Sequence, residues 1–249
     1  EVCVLGKLAA VVSGKGGTGK TSICAALGSC LALDGQSVLC VDLDVGLRNL
    51  DIALGMSEEA ALPFTALMRG EYALSDAAAH PDLAGLRMLT APVSETEEQV
   101  DEPAFLQLME KARAQFDWIL LDAPAGVGPL FRLAGRAADE RLIVCLADPA
   151  SVRDAARAAE LLELQGCGGA RLIVNRVNPK LFSRMHATVD DLMDSVGLPL
   201  LGLVPEDPSV TLAAAAGKPL VQVSFAGAAL ACLNISRRLC GQRVKLMKF

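Results

Sequence analysis

The densest chemistry in the chain lies in eight consecutive residues, Gly14-Lys15-Gly16-Gly17-Thr18-Gly19-Lys20-Thr21. They match G-x-x-x-x-G-K-[ST], a pattern whose loop cradles the phosphates of a nucleotide. Glycines at 14, 16, 17 and 19 admit backbone conformations closed to other residues, so that successive N–H groups can turn onto phosphate oxygens. Lys20 brings a positive charge to the β- and γ-phosphates, and the Thr21 hydroxyl is placed to hold Mg²⁺. Ser22 continues into what must be a helix, whose N-terminus adds its dipole to the same anion. The implied ligands are ATP or ADP with Mg²⁺. By average residue usage the pattern arises by chance in about one chain in a hundred of this length.

Carboxylates that could complete such a site sit at the ends of two apolar runs. Val41-Asp42-Leu43-Asp44 puts two acids on alternate residues, so both can face the same way beyond a strand's C-terminal end. Trp118-Ile119-Leu120-Leu121-Asp122 is an apolar strand closing in one acid, a placement that lets a carboxylate reach a magnesium shell from a neighbouring strand. The expected metal-holding set is Thr21, Asp42 and Asp122. His80 and His186 lack partner spacing, and no serine stands in a G-x-S-x-G context, so neither metal-histidine chemistry nor serine hydrolysis is indicated.

These residues need a frame, and the periodicity supplies one. Apolar β-rich runs over Leu8–Ser13, Val38–Asp42, Leu86–Thr90, Trp118–Asp122, Leu142–Ala147, Arg171–Asn175 and Leu200–Val204 read as seven strands. Between them lie three- and four-residue spacings typical of amphipathic helices, as in Ile23, Leu27, Leu31 and in Ala155, Ala158, Leu161, Leu162. Strand followed by helix, repeated, predicts an α/β fold: a mostly parallel, twisted sheet of seven or eight strands with helices on both faces. Ser151 and Asp154 suggest a capping box for the helix after Pro149, and Gly166 a stop for it. The Ala213–Ala216 stretch reads as a helix end stopped by Gly217. No repeat or linker interrupts the pattern, so residues 1–249 are expected to form a single domain ending in a short basic and apolar tail over 241–249.

Composition narrows the setting. The 249 residues are 52% hydrophobic, enough to bury a large sheet, yet the apolar runs are too short for a membrane span. Residues 1–6 carry no basic n-region, which points to the cytoplasm. Eight cysteines are scattered without any Cys-x-x-Cys, so Cys24, Cys40, Cys145 and Cys232 read as small core residues rather than as cluster ligands. A net charge of −6 argues against a protein that coats nucleic acid through its overall field.

The run Lys15-Gly16-Gly17-Thr18-Gly19-Lys20-Thr21 resembles the deviant Walker A motif of the MinD/ParA family of P-loop ATPases. Val45-Gly46-Leu47-Arg48-Asn49-Leu50-Asp51 resembles the family's first switch segment in its MinD branch, and Asp122-Ala123-Pro124-Ala125-Gly126 its second. Gly128 stands where a charged or polar residue is expected. Likeness extends through Asp148–Asp154, Val174–Pro179 and Val204–Val210, and covers nearly the whole chain from Leu8 to about Arg238.

Several roles follow from that resemblance alone. It implies that Lys15 reaches across a homodimer to the partner's nucleotide, and that Lys15, Lys20 and Asp44 are the catalytic set, with Asp44 orienting the attacking water and Asn49 sensing the γ-phosphate. Asn175, Arg176, Pro205, Glu206 and Asp207 are expected around adenine. The implied function is an ATP-dependent switch that places the division site, partnered by a division inhibitor and a topological-specificity protein. In this branch a C-terminal amphipathic helix lies on the membrane; Arg243–Phe249 has the ingredients but little length, so a weak peripheral contact is weighed against a docked end. DNA partitioning through Lys180, Arg184, Lys218, Arg237 and Arg238 is the main alternative, disfavoured by the acidic charge. A flagellar-number regulator, a metal-cluster carrier and a non-catalytic scaffold complete the alternatives.

Overall fold

The computed structural model describes residues 5–180, 184 and 188–247; His186 and the last two residues of the tail lie outside them. A single sheet runs in the order β3-β4-β2-β5-β1-β6-β7-β8. Its strands are β1 (Lys7–Val12), β2 (Val38–Asp42), β3 (Ala78–Ala79), β4 (Leu86–Leu89), β5 (Trp118–Asp122), β6 (Glu140–Cys145), β7 (Ala170–Val177) and β8 (Leu200–Pro205). Every neighbouring pair is parallel except β3 with β4. The seven predicted strands are all present. The eighth, β3, is two alanines long, and a two-residue strand has no periodicity to read.

Among the described residues the helices are α1 (Lys20–Leu33), α2 (Leu50–Leu54), α3 (Phe64–Met68), α4 (Glu102–Arg113), α5 (Pro129–Ala137), α6 (Pro149–Leu164), α7 (Val189–Val196), α8 (Pro208–Ala215), α9 (Leu220–Val223) and α10 (Gly227–Leu239). Alternation along each strand divides the core. Leu8, Ala10 and Val12 of β1 face a layer with Phe105 of α4, Phe131 of α5 and Leu162 of α6. Ala9 and Val11 face the other layer, with Ile23 and Leu27 of α1 and Cys232 and Ile235 of α10. Helices therefore cover both faces, as parallel crossovers require. Cys24, Cys40, Cys145 and Cys232 are all free and buried, and burial pushes their thiols well up, which keeps them inert core residues.

Capping differs from the sequence expectation at α6. Asp148, not Ser151, is the cap: its carboxylate accepts the Ser151 N–H at 2.9 Å, while the Ser151 hydroxyl accepts the Leu146 N–H. Aspartate three residues ahead gives the same electrostatic benefit at the helix start, about 1 kcal/mol. Gly166 and Gly217 do end their helices, with φ of +73° and +60°.

Candidate nucleotide site

At the C-terminal end of the central strand, β1 leads directly into the glycine-rich loop and the loop into α1. Gly17 and Gly19 take φ of +81° and +82°, where a side chain would be strained. A Cβ on Gly14 would strike the Asp154 carbonyl, and one on Gly19 would strike the Asn175 amide, so the loop can exist only with glycine at both places. The result is a cradle shaped by backbone alone.

Lys20 points inward and is 5% exposed; its Nζ lies 2.5 Å from Asp122 Oδ1 and 3.5 Å from Thr21 Oγ1. Asp122 is fully enclosed, and burial pushes its carboxyl up while Lys20 pulls it back down. β2 and β5 set Asp42 beside Asp122 in register, and Asp42 is pushed up to about 7, first by burial and then by that neighbouring acid. Two acids and one ammonium thus share a dry strand end.

The predicted metal set is brought together, with one added duty. Asp42 Oδ1 accepts the Asp44 N–H at 2.8 Å and Oδ2 the Leu50 N–H at 3.1 Å, so this carboxylate also holds the 44–50 turn. Thr21 and Asp122 remain adjacent. A hydroxyl and one carboxylate, with phosphate oxygens and water, suit Mg²⁺, which seldom relies on an all-protein cage. Among the described residues no three His, Cys, Asp or Glu side chains form a metal-holding group.

Two cavities flank the loop. The first, of about 390 Å³, is open and is lined by Lys15, Thr21, Asp44, Leu47, Asn49 and Ile52 among others. Lys15 is half-exposed there and lies 3.4 Å from its own chain's Asp148, whose carboxyl is held low by the Ser151 N–H and by Lys15. Asp44 is half-buried, and burial raises its carboxyl. Leu47 is 70% exposed, a large apolar side chain set outward at the mouth.

The second cavity, of about 450 Å³, is lined by Ile23, Ala26, Val204, Pro205, Val210 and Leu220 among others, an apolar slot of the size a purine needs. All five residues expected around adenine border it, and four already have partners within the chain. Asn175 donates to the Thr18 carbonyl at 2.8 Å and accepts the Arg176 N–H at 2.9 Å, so it ties the slot to the phosphate loop. Asp207 accepts the N–H groups of Ser209 and Ala228, capping α8 and binding the start of α10 to it. Arg176, at φ +54°, pairs with Glu206 at 3.0 Å across the lip.

Elsewhere, His80 is a core residue: its Nδ1 accepts the N–H groups of Asp82 and Leu83, and Nε2 lies 3.0 Å from the Leu54 carbonyl. Two of the five residues considered for a DNA-binding surface are spent, Arg237 on Asp34 and Arg238 on three carbonyls. Through those carbonyls, Leu201, Val244 and Lys245, Arg238 joins residues 244 and 245 to the edge strand β8. Among the described residues no helix is long and apolar enough to cross a membrane.

Comparison with known proteins matches residues 9–220 to the CobQ/CobB/MinD/ParA nucleotide binding domain. The chain belongs to this family. It is 35% identical to the septum site-determining protein MinD of Synechocystis, over 98% of this chain and 93% of that one, and 30% identical to MinD of Bacillus subtilis, over 97% and 92%. Among solved structures it is similar to the MinC:MinD cell division protein complex of Aquifex aeolicus, with TM-score 0.89 and 31% identity over 98% and 99% of the two chains. MinD of Pyrococcus horikoshii, solved with Mg-ADP, superposes with TM-score 0.81 at 25% identity over 94% and 96%. Within the family the chain is a MinD-like P-loop ATPase.

Proposed function

We propose that this chain is one half of a composite ATPase that places the cell-division site, as its MinD relatives' names describe. ATP with Mg²⁺ is hydrolysed to ADP and phosphate, and residues 1–249 act as one domain in the cytoplasm. The observation that carries the reading is the open cavity on the phosphate side. There Lys15, Asp44 and Asn49 share a surface with outward-facing Leu47 and Ile52, so charge and apolar area are presented together to a second copy of the chain.

In that arrangement the glycine loop and Lys20 hold the β- and γ-phosphates, and Lys20 exchanges Asp122 for phosphate oxygens. Thr21 and Asp122 would hold Mg²⁺, which supplies charge neutralisation at the transferred phosphoryl group. Asp44, raised by burial, orients the attacking water. Lys15 leaves Asp148 and reaches the partner's nucleotide, where its charge stabilises the developing negative charge. The exposed Lys15–Asp148 pair is worth about 1 kcal/mol or less, so this release costs little.

The dimer presents a surface to a division inhibitor, in line with the MinC:MinD relative, and to an activating topological partner. Tail residues Arg243, Lys245 and Leu246 add a weak peripheral membrane contact once freed from Arg238. Phosphate release in Mg-ATP tests the reading: wild-type protein turns over, whereas Asp44→Ala binds ATP and does not. Equal turnover by the two would remove Asp44 from the mechanism.

A further inference from the structure

Gly128, the residue that departs from the family pattern, is the N-cap of α5 and offers no side chain to the helix's first N–H groups. Another segment fills that place. Glu97 Oε2 accepts the Leu130 N–H at 3.4 Å, and a Cβ built on Gly128 would lie 2.8 Å from the same oxygen. With φ of −68°, Gly128 sits in a conformation open to any residue, so its lack of a side chain serves to leave room for Glu97. The negative charge also suits the positive end of α5.

Glu97 is itself held in place. It opens a short 3₁₀ turn, Glu97–Gln99, pinned by the Gln99 side chain accepting the Thr96 N–H at 2.7 Å. The start of the same connection touches the first switch segment: Arg48 Nε donates to Thr90 Oγ1 at 2.7 Å, with Arg48 at φ +44°. On the far side of the second switch the Gly126 N–H donates to the Ser13 carbonyl next to the phosphate loop. One connection, 90–97, therefore meets the first switch at Arg48 and the start of α5, the helix that follows the second switch, at Leu130.

We propose that Glu97 is the positioning residue of the second switch, supplying across space the polar group that Gly128 lacks at the N-cap of α5 and coupling the switch to the segment that Thr90 ties to Arg48. This rests on the reading that residues 122–128 respond to nucleotide. Glu97 lines neither of the two cavities beside the glycine loop; it sets where α5 begins and hence the path of 123–128.

Hydrogen exchange of residues 123–131 tests it, comparing Mg²⁺ with a non-hydrolysable ATP analogue against Mg-ADP in wild type, Glu97→Ala and Glu97→Ala/Gly128→Asp. Wild type is expected to exchange more slowly with the analogue, and Glu97→Ala to exchange about fivefold faster there, the scale of a lost helix cap. An aspartate at 128 caps α5 from its own side, so the double variant should return to within about twofold of wild type. Gly128→Ala, whose methyl displaces the Glu97 oxygen, should resemble Glu97→Ala and provides a second route should that variant fold poorly. Unchanged exchange in Glu97→Ala, or a double variant no slower than the single one, overturns the role of Glu97 and leaves the switch reading standing. Identical wild-type exchange in the two nucleotides overturns both.

Discussion

On the base side of the cleft, the polar groups are bonded within the chain: Asn175 to Thr18 and Arg176, Asp207 to Ser209 and Ala228, Arg176 to Glu206. On the phosphate side, Lys15 holds only a 3.4 Å half-exposed pair and Leu47 faces outward. A slot finished in one chain needs shape alone to take a base. The phosphate side carries Lys15 and Leu47 at an open surface, where in the proposed dimer a second subunit and the nucleotide would set their arrangement. On that reading switching is concentrated around the phosphates.

The sharpest break in this contrast is Lys20→Ala, which removes the phosphate contact and leaves Asp122 buried without its cation. ATP binding, followed by calorimetry, should weaken by about a hundredfold or more, and stability should fall by about 3 kcal/mol. On the base side, Asn175→Ala cuts the tie between slot and loop and should weaken ATP binding by about tenfold in the same assay. Loss of no more than about twofold would mean that the slot and the loop are independent.

Acidity sharpens the contrast further. Asp42 is pushed up to about 7 by burial and by Asp122, so between about pH 4 and 7 this group is more protonated in the folded chain than in the unfolded one. Its own contribution to the stability of the nucleotide-free protein should therefore fall as pH rises through that window and level off above it. In thermal unfolding the stability of wild type relative to Asp42→Asn should decline over that window; a flat difference would place the buried acid elsewhere. The smallest effect is expected far from the cleft. Arg238→Ala releases Val244 and Lys245, and should speed hydrogen exchange over 243–247 while costing about 1 kcal/mol or less of global stability.

What could be read from the sequence is what is local. The loop, its flanking strand and helix, and the seven longer strands each lie in a contiguous pattern. The two-alanine strand β3 does not, and was missed. Duties of single side chains depend on contacts across the chain: Asn175 meets Thr18 across 157 residues, and Glu97 meets Leu130 across 33. No spacing rule announces such pairs. The N–H groups that Asp42 and Asp207 accept, from Asp44 and Leu50 and from Ser209 and Ala228, are likewise fixed by the fold and carry no signature in the residue spacing. Gly128 was the one visible anomaly, and its explanation lay on another loop.

Sedimentation velocity of wild type and Lys15→Ala in Mg-ATP tests the central claim most directly. Wild type should move from monomer to dimer on addition of ATP, while Lys15→Ala, which keeps the whole base slot, should bind ATP within about twofold of wild type and stay monomeric. A Lys15→Ala protein that dimerises as fully as wild type would contradict a site completed by the partner's lysine.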